Sequence, residues 1–379
     1  SFSGSFQGDG SRLTGVGGGG GTTINTTDNV IPVRSDATTF VDSPITVTSG
    51  QTTISSDLTV SGSAEITGSL EVTGSVSFST EITTVGANAW STGDTLSVGR
   101  SGLSGAGTQT AGLVFGGLSG GRSTCTEEYN GTSWASGGSL ITANSAGAGT
   151  GTQTSGLAFG GFVVVSVSCT EEYDGTSWSV GGALATARYN LTGAGTQTAG
   201  LAVGGSDGSF PLASTCTEEY NGTSWSAGGV STTSLVALGG AGTQTAGLIF
   251  GGRDGNFSCV GCTEEYDGAS WSTVNGLTAA RCGIAGAGTQ TAALAFGGNP
   301  TTNSTEEYDG TSWTVGSALS IVRRALAGAG TQTAALAAGG NISPSNQTEE
   351  YSPSSIKSLK NTFDYSKETG NIIISNDVT

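Results

Sequence analysis

The sequence contains no histidine and no methionine, 6 prolines against 67 glycines, and 12 Lys+Arg against 29 Asp+Glu, for a formal charge of −17. Each shortage excludes something. Without histidine the usual copper ligation is out of reach. The lone Cys259-Val260-Gly261-Cys262 has neither a histidine nor a second such pair beside it, which makes zinc a poor fit. No metal or other cofactor is expected. Scarce basic residues leave no footprint for nucleic acid. No apolar run approaches the roughly 20 residues of a membrane span, and no basic amphipathic stretch suggests surface binding, so membrane insertion is not expected either. The glycines lack a Gly-X-Y period, which excludes collagen. With no Met at its head and an opening at Ser1-Phe2-Ser3 in Gly/Ser-rich text, the chain reads as part of a longer polypeptide.

What is present is one phrase written six times: roughly GAGTQTAGLAFGG, a variable stretch, TEEYDGTSW, and a second variable stretch. The Gln of GTQT falls at Gln109, Gln153, Gln197, Gln244, Gln290 and Gln332. A period of about 45 residues is the signature of a repeat architecture. Nearly all the drift in length lies in the two variable stretches. Each copy reads as four strands: RRALAGAG from Arg323, AALAAGG from Ala334, TEEY, and TSW with its neighbours.

The doublets at 116/117, 160/161, 204/205, 251/252, 297/298 and 339/340, a tyrosine further on (Tyr129, Tyr173, Tyr220, Tyr266, Tyr308, Tyr351) and a tryptophan after it resemble the Kelch repeat in all six copies. That resemblance implies a β-propeller with one four-stranded blade per repeat. The blades are shorter than is typical for Kelch, and the Trp-Asp of the WD40 class is absent. Trp134, Trp178, Trp225, Trp271 and Trp313 follow five of the tyrosines, whereas Tyr351 is followed by Ser352-Pro353-Ser354. The sixth tryptophan lies at the other end, in Asn88-Ala89-Trp90. The N-terminal strand is therefore expected to supply the outer strand of the last blade and close the ring, hiding edges that would otherwise pair with other chains.

Four regions follow. Residues 1–50 read as an irregular Gly/Ser/Thr-rich attachment segment with a flexible joint at Gly17 to Gly21. Residues 51–85 repeat a hexad (LTVSGS, AEITGS, LEVTGS, VSFSTE) whose apolar residues alternate two apart, as in short strands broken by Gly-Ser turns. Three-residue strands cannot bury a core alone. A left-handed single-chain β-helix also uses hexads, but several identical chains intertwined, three by preference, is the more economical solution. This resembles the shafts of phage tail fibres. The propeller occupies 86–351. The tail, 352–379, holds a possible hairpin with Thr362–Tyr365 facing Ile372–Ile374.

The repeated residues read as scaffold. Gly and Ala let inner strands crowd the axis, Tyr and Trp fill the space between blades, and Asp/Asn-Gly makes turns. DGTSW is similar to the Asp-box of sialidases, itself structural, with spacing one residue short. The six Glu-Glu pairs invite an acid/base reading. Adjacent strand residues point to opposite faces, so a pair cannot converge on one substrate; structural hydrogen bonding or solvent exposure is expected instead. Cys125, Cys169, Cys216 and Cys262 share one slot before TEEY and read as small buried hydrophobes, while Cys259 and Cys282 are possible disulfide partners.

In a propeller the GTQT and DGTS turns lie on one face and the two variable stretches on the other. Variable loops on a rigid scaffold are where binding resides, although tight turns also simply vary less than loops. The exposed aromatic and charged loop residues are the candidates for receptor binding: Arg122, Phe162, Arg188, Tyr189, Asp207, Phe210, Arg253, Asp254, Phe257 and Arg324. Phe162-Val163-Val164-Val165 reads as either a packed lid or a contact patch. Together these features, with the opening FSGSFQGDGSRLTG, resemble the Kelch-bearing tail fibres of tailed bacteriophages, those of marine hosts and cyanophages among them. The resemblance implies a non-catalytic, homotrimeric virion protein that binds a host-surface glycan or protein and joins other virion proteins through its N-terminal segment. An architectural decoration and a propeller-borne oxidase or hydrolase are the rival readings.

Overall fold

The computed structural model describes residues 85–209, 213–300, 302–341 and 346–355, together with the backbone of short strands between 38 and 72. It divides into two units, Thr84–Ile356 and the remainder. The first is a six-bladed β-propeller without helices among the described residues.

Every blade is an antiparallel four-stranded meander. Blade 1 comprises Ser104–Thr108, Ala111–Phe115, Thr126–Tyr129 and Trp134–Ser136 from the axis outward. Blades 2 to 5 repeat that order, ending on outer strands Trp178–Val180, Trp225–Ala227, Trp271–Val274 and Trp313–Gly316. In blade 6, Ala327–Gly330, Ala335–Ala338 and Thr348–Ser355 are completed by Val85–Thr92 from the other end of the ring, with Tyr351 opposite Trp90. The expected closure is thus present. The inner strands neighbour one another in a closed circle.

Crowding at the axis explains the small residues. A Cβ on Gly286 would lie 2.5 Å from the carbonyl oxygen of Gly240 in the preceding blade, closer than such atoms approach. At the far end of the second strand, Gly116 and Gly117 adopt φ of 67° and 96°, which an L side chain resists.

Three six-fold sets of hydrogen bonds join neighbouring blades. Each tryptophan Nε1–H donates to the hydroxyl of the Thr opening TEEY in the blade before it, as Trp178 does to Thr126 (3.0 Å) and, across the closure, Trp134 to Thr348 (2.9 Å). Each Gln Nε2 donates to two main-chain carbonyls of the preceding blade, Gln153 to Gly112 and Tyr129 for example. Each tyrosine hydroxyl donates to the second Glu of the preceding blade: Tyr220 to Glu172 at 2.5 Å, Tyr266 to Glu219 at 2.6 Å, and Tyr129 to Glu350 across the closure. The tryptophans pack on their own blade's Tyr and, in four cases, on the Phe of the preceding blade, Phe115–Trp178 at 4.8 Å being one. Trp134 meets Ala338 where other blades offer Phe or Val, and it is only half-buried.

In the other unit, Leu58–Ser61, Glu65–Thr67 and Leu70–Val72 pair in parallel with Thr38–Val41, Thr46–Thr48 and Thr52–Ile54 of the same chain. Two of these strands fall within the stretch read as irregular, where runs of Thr and Val favour extended backbone. The fourth hexad, the glycine joint and the tail hairpin lie outside the described residues.

Candidate binding face

The polar residues that recur in every copy are engaged inside the ring. The first Glu of each pair is buried. In four blades it faces an arginine equally buried: Arg100–Glu127 (2.7 Å), Arg188–Glu218 (2.9 Å), Arg281–Glu306 (2.7 Å) and Arg323–Glu349 (2.9 Å). The same guanidinium caps two carbonyls, those of Gly204 and Cys216 in the case of Arg188. Blades 2 and 4 carry Asn144 and Leu235 at this position, and there Glu171 and Glu264 each accept two backbone N–H groups instead.

Arg188 therefore does not belong to a binding surface. It is 0% exposed, because its charge is needed against the buried Glu218. Arg323, read as the first residue of a strand, likewise precedes the inner strand and serves as its ion-pair anchor. Both were hidden by reading the stretch before GTQT as freely variable. The signal was available: Arg100, Arg188, Arg281 and Arg323 precede Gln109, Gln197, Gln290 and Gln332 by one constant interval.

Hydrogen bonding, one of the two expected roles, accounts for the Glu-Glu pairs. The two members of a pair point oppositely, the first into its own blade and the second to the tyrosine of the next. Burial and this bond push the tyrosine hydroxyls up, to about 12 for Tyr173 and Tyr220. On the GTQT side, Asp174, Asp267 and Asp309 each accept two N–H groups of their own turn, which holds their carboxyls below the ordinary range. The four cysteines before TEEY are free but half-buried rather than buried, and desolvation raises their thiols. In three blades the thiol donates toward the first Glu. Cys259 and Cys282 are joined in a disulfide, with Cα atoms 5.2 Å apart.

The opposite face is organised by two concentric features. Around the axis, one residue per blade sits in the left-handed region: Gly102, Ala146, Asn190, Ala237, Gly283 and Ala325. Each donates its N–H to the carbonyl of its counterpart one blade back, at 2.6–2.9 Å, so the six amides form a closed circuit. Four of the six are not glycine, and a left-handed L residue costs about 1–2 kcal/mol; the circuit offsets that. Immediately beside it, the residue before each of these six bridges to the residue after the Gly-Gly doublet: Ser101–Leu118, Ser145–Phe162, Tyr189–Ser206, Val236–Arg253, Cys282–Asn299 and Arg324–Asn341. This crown has one pair per blade and no two pairs alike.

Four of the expected site residues, Phe162, Tyr189, Arg253 and Arg324, belong to the crown. Phe162 packs on Tyr189 (centroids 5.1 Å apart), and the exposed Arg122 lies over the Phe162 ring at 4.8 Å while its Nε–H donates to the Phe162 carbonyl. Residues from three blades are thereby brought together. Val164 and Val165 beyond them are 79% and 65% exposed, so the tip of that loop faces solvent. Ser166 donates to the carbonyl of Asp207, whose own carboxylate accepts from Ser209 N–H. Asp254 forms a turn, accepting from Asn256 and Ser258 N–H, and lifts Phe257 into solvent on left-handed backbone. Phe210 lies outside the described residues. Arg253 and Arg324 flank the disulfide: Arg253 Nη2 is 3.9 Å from Cys282 Sγ, and Arg324 Nη1 donates to Asn299 Oδ1 at 2.9 Å.

Charge separates the same way. The described residues hold seven arginines and no lysine. Four lie in the buried ion pairs; Arg122, Arg253 and Arg324 have no carboxylate partner among the described residues, and all three are on the variable face. The described residues contain no cluster suited to a metal ion. No protein-family model matches the chain, and no curated protein sequence matches it.

Proposed function

We propose that the chain is a non-catalytic attachment protein, a Kelch-like propeller head of a virion fibre that binds a receptor on a host cell, glycan or protein, with its variable face. One observation carries this reading. The Gln, Tyr, Glu and TEEY Thr side chains repeated in all six copies each have an intramolecular partner, whereas the residues that differ between copies gather on one face, with the three guanidiniums that have no carboxylate partner among the described residues and a packed aromatic pair among them. Repeated carboxylates engaged by tyrosine, arginine or backbone are poor general acids or bases, which supports a binding role over an enzymatic one. The chain begins and ends its course through the ring on the GTQT side, since Val85 pairs with Ser355 there, at the opposite end of the strands from the variable loops. In the same reading the hexad segment is an intertwined trimeric shaft and the N-terminal segment attaches to other virion proteins.

Competition with particles tests it. Purified full chain added to host cells is expected to block adsorption of the particle in a saturable manner, and sedimentation is expected to give the mass of a trimer. A chain that neither binds the cells nor competes removes the attachment role and leaves the architectural one.

A further inference from the structure

Resting on the attachment reading, we propose that Arg253 and Arg324 form an anion site in the crown, and that the ligand is a saccharide bearing a single carboxylate or sulfate. Both side chains are half-buried, and both backbones are fixed by the crown pairs Val236–Arg253 and Arg324–Asn341. Their head groups touch only neutral atoms. Arg253 Nη2 contacts the Cys282 sulfur at 3.9 Å, and its buried Nε has no partner. Arg324 Nη1 reaches Asn299 Oδ1, and its Nε donates to the Asn341 side-chain oxygen. Asn299 stands between them, with Nδ2 3.5 Å from Cys259 Sγ and 3.9 Å from Cys282 Sγ. Asp254, adjacent in sequence to Arg253, is turned away to the N–H groups of Asn256 and Ser258.

Two like charges are thus held around one asparagine and one disulfide, partly desolvated, with no counter-charge among the described residues. The four fully buried guanidiniums of the ring, by contrast, each have a carboxylate at 2.7–2.9 Å. An arginine fork matches a carboxylate or sulfate in geometry, and an anion bound between two forks relieves their repulsion. The net charge of −17 disfavours a polyanion. A lone anionic group on an otherwise neutral sugar escapes most of that repulsion, and sugar rings stack on aromatic side chains such as the Phe162–Tyr189 pair elsewhere in the crown. The disulfide ties the Arg253 loop to the strand connection beside Arg324, so the oxidised bond positions the two forks.

The test uses the full chain and a matched set of oligosaccharides: glucuronate-, sialate- and sulfate-terminated, each with its neutral parent, read by NMR or calorimetry. At least one charged member is expected to bind and its parent not, with affinity falling as salt rises. R253Q with R324Q is expected to lose at least about tenfold in affinity, a change of about 1.4 kcal/mol, whereas Val315→Ser, on an exposed outer strand, stays within about twofold. The carboxylate and sulfate arms distinguish the two sources of charge. Neutral parents binding as well as charged sugars, no charged member binding, or undiminished binding by the double variant would each overturn the assignment. Host adsorption by the same variants separates the two levels: wild-type adsorption by R253Q/R324Q removes the anion site and leaves the attachment role standing, while failure of the unaltered chain to adsorb removes the role itself.

Discussion

The two faces of this propeller come from one chain with one spacing, yet they use polar residues in opposite ways. On the GTQT side Gln and Tyr recur in every copy, and Asp or Asn in five, each with its partner in the ring: Gln197 on the carbonyls of Gly156 and Tyr173, and Asp174 on the N–H groups of its own turn. On the other side, six loops of unlike composition are pinned at their bases by an identical device, the amide circuit and the crown beside it, and are free to differ beyond it. Rigidity and diversity are separated by only a few residues along the chain. A scaffold whose fixed contacts use the backbone leaves the side chains of the crown free to differ, and that is what lets one face vary without loosening the ring.

Substitutions on the scaffold should cost stability and those on the loops should not, which makes the contrast measurable. The largest loss is expected for Arg281→Leu, which strands Glu306 in the interior; about 3–5 kcal/mol should disappear from denaturant unfolding, and Arg281→Leu with Glu306→Leu should recover most of it. A single variant as stable as the parent would show that the carboxylate is reached by water. Next, Tyr220→Phe removes the hydroxyl that donates to Glu172 between blades 2 and 3, at a cost of about 1.5–3 kcal/mol by the same measurement.

Alkali probes the six-fold set together. Folding raises the tyrosine hydroxyls from 10.0 to about 12 at Tyr173 and Tyr220. The unfolded chain therefore loses these protons first, so stability is intact below pH 10 and falls as pH rises from 10 toward 12. A pH titration of the melting temperature should show that decline, shifted in Tyr220→Phe; a flat profile across this window would contradict the burial of these hydroxyls. The smallest effect belongs to the loops. Val164→Ser with Val165→Ser should move stability by no more than about 0.5 kcal/mol, and a larger loss would mean that this tip packs as a lid.

Much of the scaffold was legible because it is periodic. Glycine doublets, tyrosines and tryptophans recorded the blades, and the displaced Trp90 recorded the closure. The same habit of reading misled at Arg188, where a residue in a stretch of variable letters was taken for a loop residue although four copies share it. Thiol placement was half legible: the slot shared by Cys125, Cys169, Cys216 and Cys262 excluded disulfides among them, but their partial exposure depends on neighbouring loops of unequal length. Nothing periodic announces that Arg122 lies over Phe162 or that Phe162 meets Tyr189, since these contacts join three different copies.

By itself the sequence determined the number of blades, their strand order, the closing strand and the division between repeated and variable text. Those properties are written locally, once per copy, in residue types that suit turns, tight axes and aromatic packing. Only the tertiary structure decided which arginines are buried and which remain unpaired, that Cys259 finds Cys282, and that six left-handed residues complete one another's hydrogen bonds. Each of these depends on the distance between residues of different loops or copies, and that distance exists only once the ring has closed.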